Sequence, residues 1–209
     1  MDNKSLFGLI IITTLVIWGL VAWGSQPSQK TPATTAQNQL ENVSDPDELV
    51  LGSRDADVQI VEYSDPQCPA CALANEAIND IIANNQGKVM LLYRHFPLSY
   101  HQFAKQGARA MQAANRQGKF KEMKDILFQN QEQISDSAIA NFAEQIGLDM
   151  TKYQEDYNDP KIIAKVESDF QKGLEVKIDA TPTVFLNGTK FESWSDPVAF
   201  QKQIDGLLK

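Results

Sequence analysis

The sequence predicts an α/β fold in which a helical subdomain is inserted between two parts of one sheet. Three features indicate it: a strand–helix–strand pattern over residues 58–93, helical periods across residues 99–177, and a hairpin signal over residues 181–191. The chain is 43% hydrophobic and 22% charged, which is typical of a globular domain. Its formal net charge of -8 argues against a nucleic-acid partner, which needs clustered Lys and Arg, and is typical of a soluble surface.

Residues 1–24 are predicted to be a transmembrane signal-anchor. The run from Leu6 to Trp23 carries no charge and as a helix would span about 27 Å, close to the hydrocarbon thickness of a bilayer. Lys4 precedes the run and no Lys or Arg follows before Lys30, so the positive-inside rule places the remaining chain outside the cytoplasm. Small residues flanking Trp23 also fit a cleaved signal peptide, although the run is long for one. Both interpretations export the domain, and disulfides persist outside the cytoplasm.

Residues 25–44 are predicted to be a flexible linker. They contain no aromatic residue and are rich in Gln, Thr, Ser and Pro, so they cannot bury enough apolar surface to fold alone. The folded domain is therefore predicted to occupy residues 45–209, with its helical insertion at about residues 99–177.

The first part of the folded domain is predicted to be a βαβ unit. Val58–Tyr63 is rich in β-branched residues and indicates a strand. Apolar residues then recur at helical spacing from Cys68 until Gly87, which ends the predicted helix. Val89–Tyr93 is a continuous apolar run, typical of a strand that is covered on both faces. A right-handed unit with parallel strands is expected.

Residues 99–177 are predicted to form four or five short helices, because a structureless connection of that length is implausible in a compact domain. One of these helices has Ser135 or Asp136 as its N-cap and Gly147 as its stop. Beyond the insertion, Asn187-Gly188 between apolar runs predicts a hairpin with a type I′ turn. A final amphipathic helix is expected after Pro197, which follows a capping Asp.

Cys68 and Cys71, the two cysteines of the chain, stand where the strand pattern gives way to the helix pattern. Pro69 fits the first helical turn, so the free backbone N–H groups and the positive end of the helix favour a thiolate at Cys68. Cys71 follows three residues later on the same helix face. The pattern therefore predicts an exposed, acidified attacking thiol and a resolving thiol one turn inside, as thiol–disulfide exchange requires.

Other uses of the two cysteines remain as alternatives. A structural disulfide would close only a four-residue loop and would stabilise little. A zinc site needs about four ligands, and only His95 and His101 are available to complete one. A Cu(I)-handling thiol module is the rival from another class, and it would favour methionine or histidine clusters near the site. Exchange chemistry without a metal or cofactor is the favoured interpretation.

Glu62 is the candidate proton carrier. Strand alternation places it on the same face as Val58 and Ile60, which we expect to lie beneath the helix. Burial there would raise its pKa and would let it pass a proton to or from Cys71. The alternative is an edge position that is open to solvent.

Three other polar residues are expected to be less important. Arg94 follows the second buried strand and is interpreted as a solvated strand end rather than an anion site. His95 and His101 flank a Pro-Leu pair and are interpreted as structural or loop residues, with a place at the rim of the site as the alternative.

The motifs together resemble the DsbA-like thiol–disulfide oxidoreductases of the thioredoxin superfamily, which work in exported compartments. The resemblance covers the chain from about Leu49 to its C-terminus. Its matching segments are Val61–Asp65, Cys68–Cys71, Tyr93–Leu98 and Thr181–Gly188, with a helical insertion before the last.

The resemblance implies a thioredoxin fold with an inserted helical subdomain. It also implies that Pro182 follows a cis peptide bond and faces the cysteines, and that the backbone of Thr181 pairs with a bound substrate chain. Glu62 matches the buried acidic position of the family. The implied catalytic residues are Cys68, Cys71, Glu62 and Pro182, and the implied substrate-binding residues are Thr181, Pro69 and Ala70.

One departure from the family bears on the direction of the reaction. The best-known oxidases carry His where this chain has Ala70, so the Cys68 thiolate is expected to be less stabilised and the protein less oxidising. The sequence predicts a mild oxidase for reduced exported proteins, held at the cell membrane and reoxidised by a membrane quinone-linked partner. A reductase or isomerase is the alternative within the class, although residues 99–177 do not resemble a dimerisation module.

Overall fold

The computed structural model describes residue 41 and residues 43–209. The predicted anchor, and the predicted linker apart from residues 41, 43 and 44, lie outside these residues. Within the described part of the chain, no helix has both the length and the apolar character needed to cross a bilayer.

The domain consists of a mixed five-stranded sheet and seven α-helices in the described residues. The strands lie in the order β1-β3-β2-β4-β5. The strands are β1 (Leu49–Gly52), β2 (Val58–Ser64), β3 (Val89–His95), β4 (Thr183–Leu186) and β5 (Thr189–Lys190), and the helices are α1 (Pro69–Asn84), α2 (Ala104–Asn115), α3 (Phe120–Gln129), α4 (Asp136–Gln145), α5 (Met150–Tyr157), α6 (Pro160–Glu175) and α7 (Pro197–Leu207).

The predicted βαβ unit is confirmed. Strands β2 and β3 are parallel, with Glu62 opposite Tyr93, and every residue of both strands is buried. Burial on both faces explains why neither strand shows a strict apolar–polar alternation. Strand β1, which the sequence analysis did not predict, adds to β3 in the antiparallel sense and forms one edge of the sheet.

The C-terminal hairpin is also confirmed. Strand β4 pairs antiparallel with β2 and with β5. Asn187 and Gly188 connect the hairpin strands with φ angles of 44° and 80°, the left-handed values that a type I′ turn requires. The side chain of Asn187 accepts a hydrogen bond from the backbone N–H of Gln59 at 2.7 Å, which fastens the turn to β2.

The five helices α2–α6 form the predicted helical insertion. Ser135 caps α4 by accepting from the N–H of Ala138, as predicted. Side chains from α2–α4, α1 and α7 pack with one face of the sheet. Helix α6 reaches the opposite face, where Phe170 stacks on Phe96 with ring centroids 4.7 Å apart. The insertion therefore contributes to both sides of the sheet.

The prediction for Arg94 is wrong. Its side chain is buried beneath the sheet, where it pairs with Glu41, Glu48 and Asp169. The distance to the Asp169 carboxylate is 3.0 Å, and Lys165 joins the group at 2.6 Å from the same oxygen. Three carboxylates from distant segments satisfy a guanidinium that would otherwise be too costly to bury.

The ion pair of Arg94 also reaches into the predicted linker. Glu41 accepts a hydrogen bond from the Nε of Arg94 at 3.0 Å, and its N–H donates to the Gln59 side chain at 2.7 Å. Val43 packs against the apolar cluster on this face of the sheet. The part of the chain that packs on the domain thus begins upstream of residue 45. The sequence analysis placed the boundary later because charge pairing does not show in the composition of a segment.

Candidate active site

Helix α1 presents the first cysteine. Cys68 is the N-cap and Pro69 is the first helical residue, as predicted, so the ring lies where a missing N–H costs nothing. The carbonyl of Cys68 accepts from the N–H of Cys71 at 3.0 Å, and its own N–H donates to Asp65 at 3.1 Å. Cys68 retains an exposed fraction of only 7%, less than expected, whereas Cys71 has none.

The strand that follows the insertion supplies the opposite wall of the site. The peptide bond between Thr181 and Pro182 is cis, as the family resemblance implied. The sulfur of Cys68 lies 3.3 Å from the backbone oxygen of Thr181. The structure therefore brings together Cys68, its helix turn with Pro69 and Ala70, and the Thr181-Pro182 pair.

The two thiols, which are not joined by a disulfide in this structure, have opposite electrostatic environments. A hydrogen bond from the Cys71 thiol holds the pKa of Cys68 well below its ordinary value, and the backbone N–H groups of Cys71 and Ala70 add to the effect. Burial raises the pKa of Cys71 far above its ordinary value, and the hydrogen bond to Cys68 acts in the same direction. At neutral pH the pair therefore holds a thiolate on Cys68 and a proton on Cys71.

Glu62 lies at the bottom of the site with an exposed fraction of 1%, so the solvent-open alternative is wrong. Burial raises its pKa to about 7, while the ammonium group of Lys124 opposes the increase. Neither carboxyl oxygen has a hydrogen-bond partner among the described residues. Its charge in turn contributes to the raised pKa of Cys71. A carboxyl that titrates near neutrality beside a resolving thiol is suited to exchange a proton with it.

Three further polar groups line the same face of β2 and β3. The hydroxyls of Ser64 and Tyr93 and the Nδ1 of His95 are buried and have no hydrogen-bond partner in the described part of the chain. His95 has its Nε2 3.4 Å from the side chain of Gln112, and burial holds its pKa well below the ordinary value. His95 is thus a neutral, buried core residue, which agrees with its structural interpretation.

His101 lies in the loop that borders the site. Its Nδ1 is 2.9 Å from the carboxylate of Asp65, a fully buried side chain that also accepts from the N–H groups of Gln67 and Leu98 at 2.7 Å each. Asp65 therefore joins the segment that leads to Cys68 to the loop after β3. The sequence analysis gave no function to Asp65, although an Asp that directly follows a strand and precedes a Pro is a turn signal.

Gln131 is a second residue that the sequence analysis missed. It lies in a short 3-10 turn between α3 and α4, at Gln131–Gln133. Its side-chain amide donates to the backbone oxygens of Pro66, at 2.9 Å, and Cys68, at 2.8 Å. The helical insertion thus holds the backbone of the active-site turn directly, through a contact 63 residues apart that no local pattern shows.

The described residues contain no group of three or more His, Cys, Asp or Glu side chains that could hold a metal ion. His95 and His101 make other contacts, with Gln112 and Asp65 respectively. The site itself contains two thiols, one buried carboxyl and the backbone around them.

Comparison with known proteins agrees with this geometry. A family model described as thioredoxin matches residues 44–206. BdbD from Bacillus subtilis superposes with a TM-score of 0.68 at 23% identity, covering 78% of this chain and 93% of that one. The thiol-disulfide exchange protein alpha-DsbA2 from Wolbachia pipientis superposes with a TM-score of 0.70 at 19% identity, covering 77% and 87%. These likenesses show the fold.

Curated relatives extend beyond this chain. A protein described as Na(+)/H(+) antiporter NhaA 3 from Salinispora tropica is 33% identical over 148 residues, which is 70% of this chain but 22% of that protein. The chain therefore spans about a fifth of the length of this relative. The match of the family model over most of the chain shows that the chain belongs to the thioredoxin family, and the paired thiols at the start of α1 and the cis proline opposite them agree with it.

Proposed function

We propose that the chain is an extracytoplasmic oxidase that donates the Cys68–Cys71 disulfide to exported proteins. The observation that carries the proposal is the opposite environment of the two sulfurs. The helix N-terminus and the Cys71 thiol stabilise a thiolate on Cys68, while Cys71 is sealed from solvent. Because a stabilised thiolate favours the reduced pair, it makes the disulfide more oxidising.

The reaction begins with attack by a thiolate of the reduced substrate on Sγ of Cys68. A bond forms between the substrate sulfur and Cys68, the Cys68–Cys71 bond breaks, and Cys71 takes a proton from protonated Glu62. A second substrate thiolate then attacks the substrate sulfur of the mixed disulfide. The substrate disulfide forms and Cys68 leaves as a stabilised thiolate, so two electrons pass from the substrate to the enzyme.

The substrate chain is proposed to lie along the Thr181-Pro182 segment. The backbone oxygen of Thr181 already lies within reach of Cys68, so an extended peptide that pairs with this backbone would bring its own cysteine to the same sulfur. Pro69 and Ala70, the first two residues of α1, form the other side of this approach. Pro182 has no backbone N–H, so it leaves the backbone groups of Thr181 free to pair with the substrate chain.

The predicted anchor supports a place at the outer surface of the membrane, where disulfides persist. Each donation leaves the enzyme as a dithiol, so a second reaction must remove two electrons. We propose a membrane quinone-linked protein as the acceptor, because the predicted anchor and the part of the predicted linker before residue 41 would keep the domain near it.

A reductase or isomerase is the competing function, because Ala70 stands where the best-known oxidases carry His. The deciding experiment equilibrates the full-length chain with graded glutathione redox buffers and quantifies the Cys68–Cys71 disulfide. A potential well above that of glutathione supports donation, whereas one near that of thioredoxin, about -270 mV, supports reduction. A Cys71→Ala variant should accumulate mixed disulfides through Cys68; a metal-handling module would not.

A further inference from the structure

We propose that Gln131 is a positioning residue for the attacking thiol: by holding the carbonyl groups of Pro66 and Cys68, its side-chain amide fixes the direction in which the sulfur of Cys68 points. The inference rests on the thiol exchange proposed above, but not on whether the protein donates or removes disulfides. It gives the helical insertion a direct part in the reactivity of Cys68.

The side-chain amide of Gln131 is matched to the turn before α1. An amide nitrogen carries two hydrogens, and carbonyl oxygens can only accept. The nitrogen of Gln131 lies 2.9 Å from the oxygen of Pro66 and 2.8 Å from the oxygen of Cys68, so both of its hydrogens have an acceptor. These two oxygens stand on either side of Gln67. One planar group therefore holds both ends of the segment that leads into the helix.

The turn that carries Gln131 is itself held by the insertion. Gln131 begins the 3-10 turn Gln131–Gln133. Just before it, the side chain of Asn130 donates to the carbonyl of Ile126 at 2.8 Å and closes the end of α3. Just after it, Ile134 is buried, and its N–H donates to the carbonyl of Gln131 at 3.3 Å. The donor is thus fixed to the insertion rather than to α1.

The backbone conformation at Cys68 decides which groups its sulfur meets. Cys68 is the N-cap of α1, with φ -78° and ψ 119°, and its sulfur lies 3.3 Å from the oxygen of Thr181. The Cys71 thiol and the backbone N–H groups of Cys71 and Ala70 hold the pKa of Cys68 well below its ordinary value. The carbonyl held by Gln131 belongs to the peptide group that joins Cys68 to the helix. A rotation of that group would therefore change the angle between the sulfur and the first N–H groups of α1.

Two other contacts join the insertion to the same turn. The N–H of Phe103 donates to the side chain of Gln67. Gly107 packs on Pro66 so closely that a Cβ atom at residue 107 would lie 2.8 Å from the proline Cγ. Both contacts involve side chains of the turn, whereas Gln131 bonds to its backbone. Gln131 therefore acts on the peptide groups that orient the sulfur.

Gln131→Met tests the role, because it keeps the length of the side chain and removes the donor. Alkylation of the reduced full-length protein by iodoacetamide across a pH series measures the midpoint of Cys68. We expect this midpoint to rise by about half a unit or more, because the helix N–H groups no longer point as directly at the thiolate. Below both midpoints the rate should fall by about threefold or more, since it follows the thiolate fraction. Equilibrium with glutathione should move about threefold toward the protein disulfide.

Gln133→Met is the matched control, because it makes the same substitution at an exposed residue of the same turn. It should keep the wild-type midpoint. Ile139→Val removes one methylene from the buried side of α4 and should lower the unfolding temperature without shifting Cys68. Gln131→Ala replaces the Met variant if thermal unfolding shows that Met prevents folding.

An unchanged Cys68 midpoint in a folded Gln131 variant overturns the inference, and so does an equal shift in Ile139→Val, which would assign the effect to general loosening. An ordinary thiol midpoint at Cys68 in the wild-type protein contradicts the exchange and the inference together. A wild-type potential near that of thioredoxin contradicts the proposed oxidase alone, since the shift in Gln131→Met would still support the positioning role.

Discussion

The sulfur of Cys68 lies 3.3 Å from the backbone oxygen of Thr181, although 113 residues separate them in the chain. The contact exists because β4 pairs with β2, with Thr183 opposite Tyr63, so that the segment before β4 arrives beside the start of α1. A helix N-terminus and a strand entrance thus form the two sides of one site. Their juxtaposition explains why a small, mostly buried sulfur remains able to meet a substrate chain.

The acidity of Cys68 should depend on the thiol of Cys71. We expect the reduced wild-type protein to be alkylated by iodoacetamide at Cys68 well before Cys71, with a midpoint below that of an ordinary thiol. Cys71→Ala removes the largest stabilising hydrogen bond and should raise this midpoint, whereas Cys71→Ser should preserve much of the shift. Peptide mass spectrometry across a pH series measures both. Equal midpoints in the Ala and Ser variants would contradict the assigned cause.

Glu62 should make stability depend on pH. Its pKa is about 7 in the fold against an ordinary value of 4.5, so its stabilising contribution is fully present below pH 4.5 and is lost as the pH rises through 7. Glu62→Gln should therefore stabilise the protein by about 3 kcal/mol at about pH 8, and by less than about 1 kcal/mol at about pH 5. Denaturant unfolding of the disulfide form measures this change in stability, because the two cysteines carry no titrating thiols in that form. A gain independent of pH would refute the explanation.

Ala70→His should make the site more oxidising. A protonated imidazole next to the Cys68 thiolate should lower the pKa of that thiol by about one unit and raise the reduction potential. Ala70→Gln is the matched control, because it adds polar bulk without charge. Thiolate absorbance as a function of pH measures the effect, and identical curves for the His variant and the wild type would exclude it.

Arg94→Met should strongly destabilise the domain. The substitution leaves the buried carboxylates of Glu48 and Asp169 with Lys165 as their remaining ion-pair partner, and breaking a buried ion pair typically costs about 3–5 kcal/mol. Arg116→Met is the comparison, since Arg116 pairs with Asp156 and Asp159 at a partly exposed site where a loss of about 0–1 kcal/mol is usual. Guanidinium unfolding midpoints compare the two. Similar small losses would show that the buried network contributes little.

Gly107→Ala should disturb the active-site turn from a distance. A Cβ atom at residue 107 would lie 2.8 Å from Cγ of Pro66, two residues before Cys68, so the proline ring must move. We expect a loss of about 1–3 kcal/mol in stability and a slower reaction of Cys68. Gly206→Ala meets no atom within 4 Å and should instead stabilise α7 by about 1 kcal/mol. Thermal unfolding and alkylation rates test the pair, and equal behaviour of both variants would contradict the prediction.

Much of the fold was predictable because its signals are local. The β-branched run of β2, the Asn187-Gly188 turn and the cap at Ser135 each act within a few residues, and the structure has all three. Strand β1 was missed because its four residues form an edge strand only by pairing with β3. Short edge strands have little pattern of their own.

The candidate site divides in the same way. The sequence by itself determined the two thiols, their spacing, the proline at the helix start and the polar residue on an apolar strand, because helix ends and strand alternation are local geometry. Only the tertiary structure decided what surrounds them. Arg94 is buried because its partners arrive from residues 41, 48 and 169, and the charge of a lysine from α3 opposes the raised pKa of Glu62. Charges are buried only where several distant segments satisfy them together, and no single stretch of sequence carries that information.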